Sequence, residues 1–144
     1  MTLFFVAKKY TLGKNERLKS RKQIELLFSE GKKFVIAPFR IFYLFENLPV
    51  TNNSQTGLQF GVGVSSKHFK KAVDRNRIKR LTREAYRLQK NNLKEKLKLN
   101  GWQLNLFVIY TSKEMPDYNL VKDKLALALK KLETITDENP SANT

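Results

Sequence analysis

The stretch from Lys67 to Lys98 does most to limit what this chain can become. It holds 13 Lys or Arg against 3 acidic residues, ten of the fifteen net positive charges of a 144-residue chain. Such a segment cannot be interior on every side. Nor is it a uniformly polar tail, because Ile78, Leu81, Ala85 and Leu88 recur at helical spacing. At about 100° per residue these four form one stripe, and Arg75, Asn76, Lys79, Arg80, Arg83, Arg87 and Lys90 lie on the opposite side. Arg77 falls at the flank, beside Leu88. The spacing predicts a helix from about Val73 to Gln89, extending toward Leu99 and ended by Gly101. Its apolar stripe should pack on a core and its cations should face solvent.

A solvated helix face normally mixes signs, with Glu and Lys paired four residues apart. Here only Glu84 interrupts the row, within reach of Arg80 and Arg87. Like charges at this density repel, so the row points to an external polyanion. Arginine also matters in kind, because its planar fork suits phosphate and stacks on bases. A membrane-surface helix would set Trp or Phe opposite its charges. This stripe is narrow and aliphatic, so nucleic acid is the expected partner and a membrane is not.

The rest of the chain can supply the core. Its hydrophobic fraction is 41%, and a domain of this length buries roughly 68–70% of its unfolded surface. There are no cysteines, which removes disulfides and thiol chemistry. His68 is the only histidine, without a second acid or base that would make it a nuclease centre. Asp74 and Glu84 lie ten residues apart with no acidic neighbours, a poor basis for a two-metal site. No catalytic or metal-binding side chain is therefore assigned. Leu3 to Val6 lack the basic leader and long apolar run of a secretory signal, and no stretch reaches the ~20 apolar residues of a span. A cytoplasmic location is expected.

Ser20 with Gln23 three residues on fits a helix start, followed by Ile24, Leu27 and Phe28 and stopped by Gly31. Phe34 to Phe45 is aromatic and β-branched around Pro38, which predicts two strands or one bent edge strand. Asn47 to Gly57 reads as a loop. Phe60, Val62 and Val64 alternate with Gly61, Gly63 and Ser65, a strand with one small face. Leu104 to Tyr110 predicts another strand. Asp117 should cap a last helix carrying Val121, Leu125, Ala128, Leu129 and Leu132. The order is αβββαβα, an α+β sandwich with one central β-sheet. Residues 1–14 form an N-terminal extension, 15–134 the domain, and 135–144 a polar, disordered tail.

The run Ala72-Val73-Asp74-Arg75-Asn76-Arg77-Ile78-Lys79-Arg80, continued through Tyr86, resembles the signature of the bacterial ribonuclease P protein family. Glu16-Arg17-Leu18-Lys19, Leu27-Phe28 and Gly31 look like that family's first helix. The resemblance spans roughly Glu16 to Leu132. It implies that the Arg-Asn-Arg helix lies in a left-handed crossover. It also implies a role as the protein subunit of a ribonucleoprotein whose catalytic RNA removes the 5′ leader from precursor tRNA. Magnesium (Mg2+) would be held by the RNA, and one protein would join one RNA.

The same resemblance implies that Lys67, Arg75, Asn76, Arg77, Lys79, Arg80, Arg83 and Arg87 contact RNA. It places Phe42 in a cleft for the leader, with Phe28 on the helix beside it, and Ile24, Arg40, Ser65 and Ser66 are the further candidates for that cleft. Ile24 stands where the family often has an aromatic, and the Val64-Ser65-Ser66-Lys67-His68 run has one residue more than the family's pattern. Strand alternation puts Arg40 and Phe42 on one face and Phe39, Ile41 and Tyr43 on the other. A ring beside a cation is a common platform for single-stranded RNA, and Gly61 and Gly63 would let a backbone approach. The alternative is another structural RNA-binding protein, such as a ribosomal protein, with its charges spread through tails.

Overall fold

A computed structural model describes residues 16–47 and 57–138. The expected extension at 1–14, most of the loop from Asn47 to Gly57, and residues 139–144 lie outside the described residues. The elements are α1 (Arg21–Glu30), β1 (Lys32–Ile36), β2 (Phe39–Asn47), β3 (Leu58–Val64), α2 (Ala72–Gln89), α3 (Asn91–Asn100), β4 (Trp102–Tyr110) and α4 (Tyr118–Glu138). One four-stranded sheet has the order β1-β2-β4-β3. β1 with β2 and β2 with β4 are antiparallel. β3 with β4 is parallel, so α2 and α3 form the crossover between them.

Local signals set most of these elements. The Ser20 hydroxyl accepts from the Gln23 N–H at 3.4 Å, and the Gly31 N–H closes α1 on the Leu27 carbonyl. Pro38 separates β1 from β2 as a turn, and its carbonyl accepts from both the N–H and the hydroxyl of Thr111. The Asp117 carboxylate accepts from the Leu120 N–H at 2.7 Å at the start of α4. Gly101, at φ 73°, ends α3 in the left-handed region open to glycine.

Two sequence expectations change here. The long helix is interrupted at Lys90, giving α2 and α3 in place of one rod. The tail expected from residue 135 is helical as far as Glu138, and Thr136 is buried with its hydroxyl on the Leu132 carbonyl. That hydroxyl is satisfied inside the helix, so a polar residue continues the packed face.

The core lies between the sheet and α2, α3 and α4. In-register rows such as Ile41, Val108 and Val62, then Tyr43, Leu106 and Phe60, face these helices. From α4, Val121, Leu125, Ala128, Leu129 and Leu132 are buried, the five residues that spacing selected. α1 packs on the opposite sheet face, with Leu27 fully buried.

Candidate nucleic-acid interface

α2 enters its site through a different face from the one its aliphatic residues suggest. Its buried residues are Ile78, Thr82, Ala85 and Tyr86, while Leu81 is half-buried and Leu88 is 44% exposed. The inward direction is therefore turned by roughly 65° from the Ile78-Leu81-Ala85-Leu88 stripe. Two polar-looking residues cause the turn. Tyr86 stacks on Phe60 with ring centroids 3.8 Å apart and planes within 7°. Thr82 satisfies its hydroxyl on the Ile78 carbonyl at 2.8 Å, so burial leaves no polar group stranded. Burial pushes the Tyr86 hydroxyl's pKa well up, and the nearby Glu16 charge adds to it.

The rotation re-sorts the cations. Asn76, Arg77, Arg80 and Arg83 are exposed, so Arg77 belongs to the outward face and not to a flank. Arg75 is half-buried and donates to the carbonyls of Phe69 and Lys70, both at 2.8 Å, tying the helix start to the preceding loop. Arg87 makes a bidentate pair with Glu84 at 2.6 and 2.9 Å. Lys79 is half-buried and Lys67 is exposed in the loop before α2.

Lys90, placed by spacing on the cationic face, is buried. Its ammonium pairs with the Glu16 carboxylate, which also accepts from Lys94 at 2.8 Å. Burial pushes the Glu16 carboxyl upward, but hydrogen bonds from Lys90 and Lys94, and their charges, outweigh it and hold the group below the usual carboxylate range. Arg17 to Lys19, which the likeness to a family's first helix made helical, is extended, and Glu16 before it lies in a 3-10 turn. The segment runs as a strap beside β3, where the Leu18 N–H donates to the Phe60 carbonyl at 2.8 Å and Arg17 forms a parallel bridge. The free edge of β3 supplies those backbone partners.

On the α1 side of the sheet, Phe42, Phe107 and Gly61 form one row, with Arg40, Ile109 and Gly63 beside it. Phe28 meets Phe42 at 4.8 Å and Phe107 at 5.3 Å, both edge-to-face, and remains 43% exposed. The glycines serve this cluster. A Cβ on Gly61 would lie 2.6 Å from the Phe107 ring, and one on Gly63 would lie 3.1 Å away. The space above them is thus filled by Phe107, where the sequence reading reserved it for an approaching ligand backbone. Ile24 is half-buried and shares a groove of about 320 Å³ with Arg17, Leu18, Lys19, Gly61, Arg83 and Phe107.

Of the six expected cleft residues, Phe28 and Phe42 are in contact and Arg40 lies on the same sheet face. Ile24 joins them through Phe107. Ser65 and Ser66 lie beyond the end of β3, and the Ser65 hydroxyl accepts from the Lys67 N–H at 3.2 Å, closing the turn there. Phe107 was missed, although Asn105 two residues earlier marks its face as the one outside the main core. Arg17 was missed because nothing in an isolated Glu-Arg-Leu-Lys run announces an edge strap. Among the described residues, no three His, Asp or Glu gather as a metal site, and no helix is long and apolar enough to cross a membrane.

One sheet, a half-covered aromatic face and a helix of outward arginines define a small α+β nucleic-acid-binding domain. The family model described as Ribonuclease P matches residues 12–133. The chain belongs to the ribonuclease P protein family. It is 38% identical over 121 residues to the ribonuclease P protein component of Porphyromonas gingivalis, covering 83% of this chain and 85% of that one. The corresponding protein of Chlorobium phaeobacteroides is 32% identical over 123 residues, covering 81% and 84%. The ribonuclease P protein from Thermotoga maritima superposes with a TM-score of 0.59 at 28% identity, over 81% of this chain and 96% of that one. The Staphylococcus aureus protein has the same fold, at a TM-score of 0.59 and 21% identity over 81% and 94%. Membership makes this chain a subunit of the endoribonuclease that forms tRNA 5′ ends and a partner of the ribonuclease P RNA, which decides against a ribosomal role.

Proposed function

We propose that the two surfaces divide the RNA between them. The aromatic face around Phe28, Phe42 and Phe107, with Arg40 beside it, holds the 5′ leader of precursor tRNA. Asn76, Arg77, Arg80 and Arg83 on α2, with Lys67 before it, contact phosphates of the ribonuclease P RNA. Arg75, Lys79 and Arg87 support that contact from partly buried positions. The observation that carries this reading is a single groove whose lining includes Ile24 and Phe107 from the aromatic side of the sheet together with Arg83 from α2. A leader emerging from the RNA can therefore cross from cations to rings without leaving the protein.

The side chains bind and orient; the hydrolytic step belongs to the RNA. Stacking tolerates any base, at about 1–3 kcal/mol each, which suits leaders of varied sequence. Magnesium would be held by the RNA and supply the activated water there. One protein with one RNA in the cytoplasm is the working assembly.

Reconstitution tests this. Protein, cognate ribonuclease P RNA and precursor tRNA are mixed at low magnesium, and leader release is followed. Cleavage should rise with protein and be absent with protein alone. Cleavage by the protein without the RNA would overturn the proposal.

A further inference from the structure

The groove along β3 brings together two arginines from distant parts of the chain. Arg17 comes from the N-terminal strap and Arg83 from α2, and both line the same space with Lys19. Among the described residues neither forms a salt bridge, and the nearby carboxylates are taken. Glu16 is held by Lys90 and Lys94, and Glu84 by Arg87. The strap cannot easily withdraw Arg17, because backbone pairing with Phe60 fixes it on one side and Glu16 anchors it on the other. Burial against the groove wall and the Arg17 charge both pull the Arg83 pKa below its ordinary value. Two like charges held together in a partly desolvated groove raise the energy of the free protein. An anion between them would remove that cost. Ile24 and Phe107 complete the groove with apolar surface of the kind that accepts a sugar or base.

We propose that Arg17 and Arg83 clamp a single phosphate of single-stranded RNA in this groove, with its nucleotide lying against Ile24 and Phe107. The clamp rests on the RNA-binding reading above. It adds a residue outside the Arg-Asn-Arg helix and a defined stoichiometry of two guanidiniums to one phosphate.

The test uses the reconstituted holoenzyme with Arg17→Gln, Arg83→Gln, the double variant and Arg17→Lys. Three quantities are measured: affinity of protein for ribonuclease P RNA, affinity of holoenzyme for precursors with and without a leader, and melting temperature of the free protein. Each Gln variant should weaken one RNA affinity about tenfold, as expected for loss of a charged hydrogen bond. The double variant should lose little more than either single, because both arginines serve the same phosphate. Arg17→Lys should recover part of the loss. The free protein should melt at the same temperature or higher, since a repulsion has been removed.

A loss confined to leader-bearing precursors assigns the phosphate to the leader, and a loss in assembly assigns it to the ribonuclease P RNA; either supports the clamp. Fully multiplicative losses would show two separate phosphates and overturn it. So would unchanged affinities, or an affinity loss matched by a drop in melting temperature. Failure of the unsubstituted protein to bind either RNA would instead remove the RNA-binding reading itself.

Discussion

The two faces of the sheet are built from the same strands but carry opposite kinds of surface. Toward α2, α3 and α4, the rows through Ile41, Tyr43, Leu106 and Val108 are closed, and Phe60 is stacked flat on the fully buried Tyr86. Toward α1, the row through Phe42 and Phe107 is only half-covered, and its rings meet edge-to-face with Phe28 exposed. A ten-residue helix cannot shield a four-stranded sheet, so large apolar side chains stay reachable from solvent. The first face holds the domain together. The second leaves apolar area open to solvent at some cost in stability, the trade expected if the proposed leader site lies there.

Substitution of matched rings gives the largest contrast. Tyr86→Ala removes a stacked, fully buried ring and should cost about 3–5 kcal/mol of unfolding free energy in a denaturant titration. Phe28→Ala should cost less, about 1–2 kcal/mol, yet weaken precursor binding roughly tenfold. Equal destabilisation by both would erase the distinction between the faces.

The strap provides the next contrast, because it fastens the packed side to the groove. Glu16→Gln leaves Lys90 buried without its anion and should destabilise the domain by about 3 kcal/mol. The pH dependence follows from the depressed Glu16 pKa. The stabilisation is fully present above the unfolded carboxyl value, near 4.3, and is lost as pH falls through the lower folded value. Melting temperature of the unsubstituted protein should therefore fall more steeply below about pH 4.3 than that of Glu16→Gln. Parallel curves would show that Glu16 is not the group responsible.

Gly61→Ala probes the open face from beneath. Its Cβ would press on the Phe107 ring and on the Leu18 carbonyl, 3.2 Å away. The ring must move, and the expected cost is about 1–3 kcal/mol, with weaker leader binding because Phe28 loses its neighbour. Shortening the ring in the double variant Gly61→Ala, Phe107→Leu should restore stability but not binding. A Gly61→Ala protein as stable as the original would show that Phe107 does not need the glycine.

The helices and strands were legible in the sequence because their signals are local. Ser20, Gly31, Pro38, Gly101 and Asp117 each act within a few residues, and the α4 core could be counted from its spacing. Errors arose where a distant partner decides. Tyr86 and Thr82 look polar until Phe60 and a helix carbonyl are brought to them. Lys90 looks solvent-facing until Glu16, 74 residues earlier, reaches it. The break between α2 and α3 falls at that same lysine. The aromatic cleft was half legible: alternation paired Arg40 with Phe42, but only the register of β2 with β4 sets Phe107 opposite Phe42. A family signature fixes residue order. It does not tell which arginine has already spent its donors inside the protein.

That last point separates two arginines on α2 and gives the smallest expected effect. Arg80 is exposed and makes no salt bridge among the described residues, whereas Arg87 holds Glu84 through two hydrogen bonds. If phosphate contacts follow availability, Arg80→Ala should lower the slope of log affinity against log salt by roughly 0.7–0.9, the value for one released counterion. Arg87→Ala removes a cation but also frees Glu84, which repels phosphate at short range. Its affinity should fall while its salt slope changes by less than that of Arg80→Ala. Titration of the ribonuclease P RNA at three or more salt concentrations resolves the two slopes. Equal changes would mean that RNA pulls Arg87 away from Glu84, and the paired and unpaired arginines would then form one continuous contact surface.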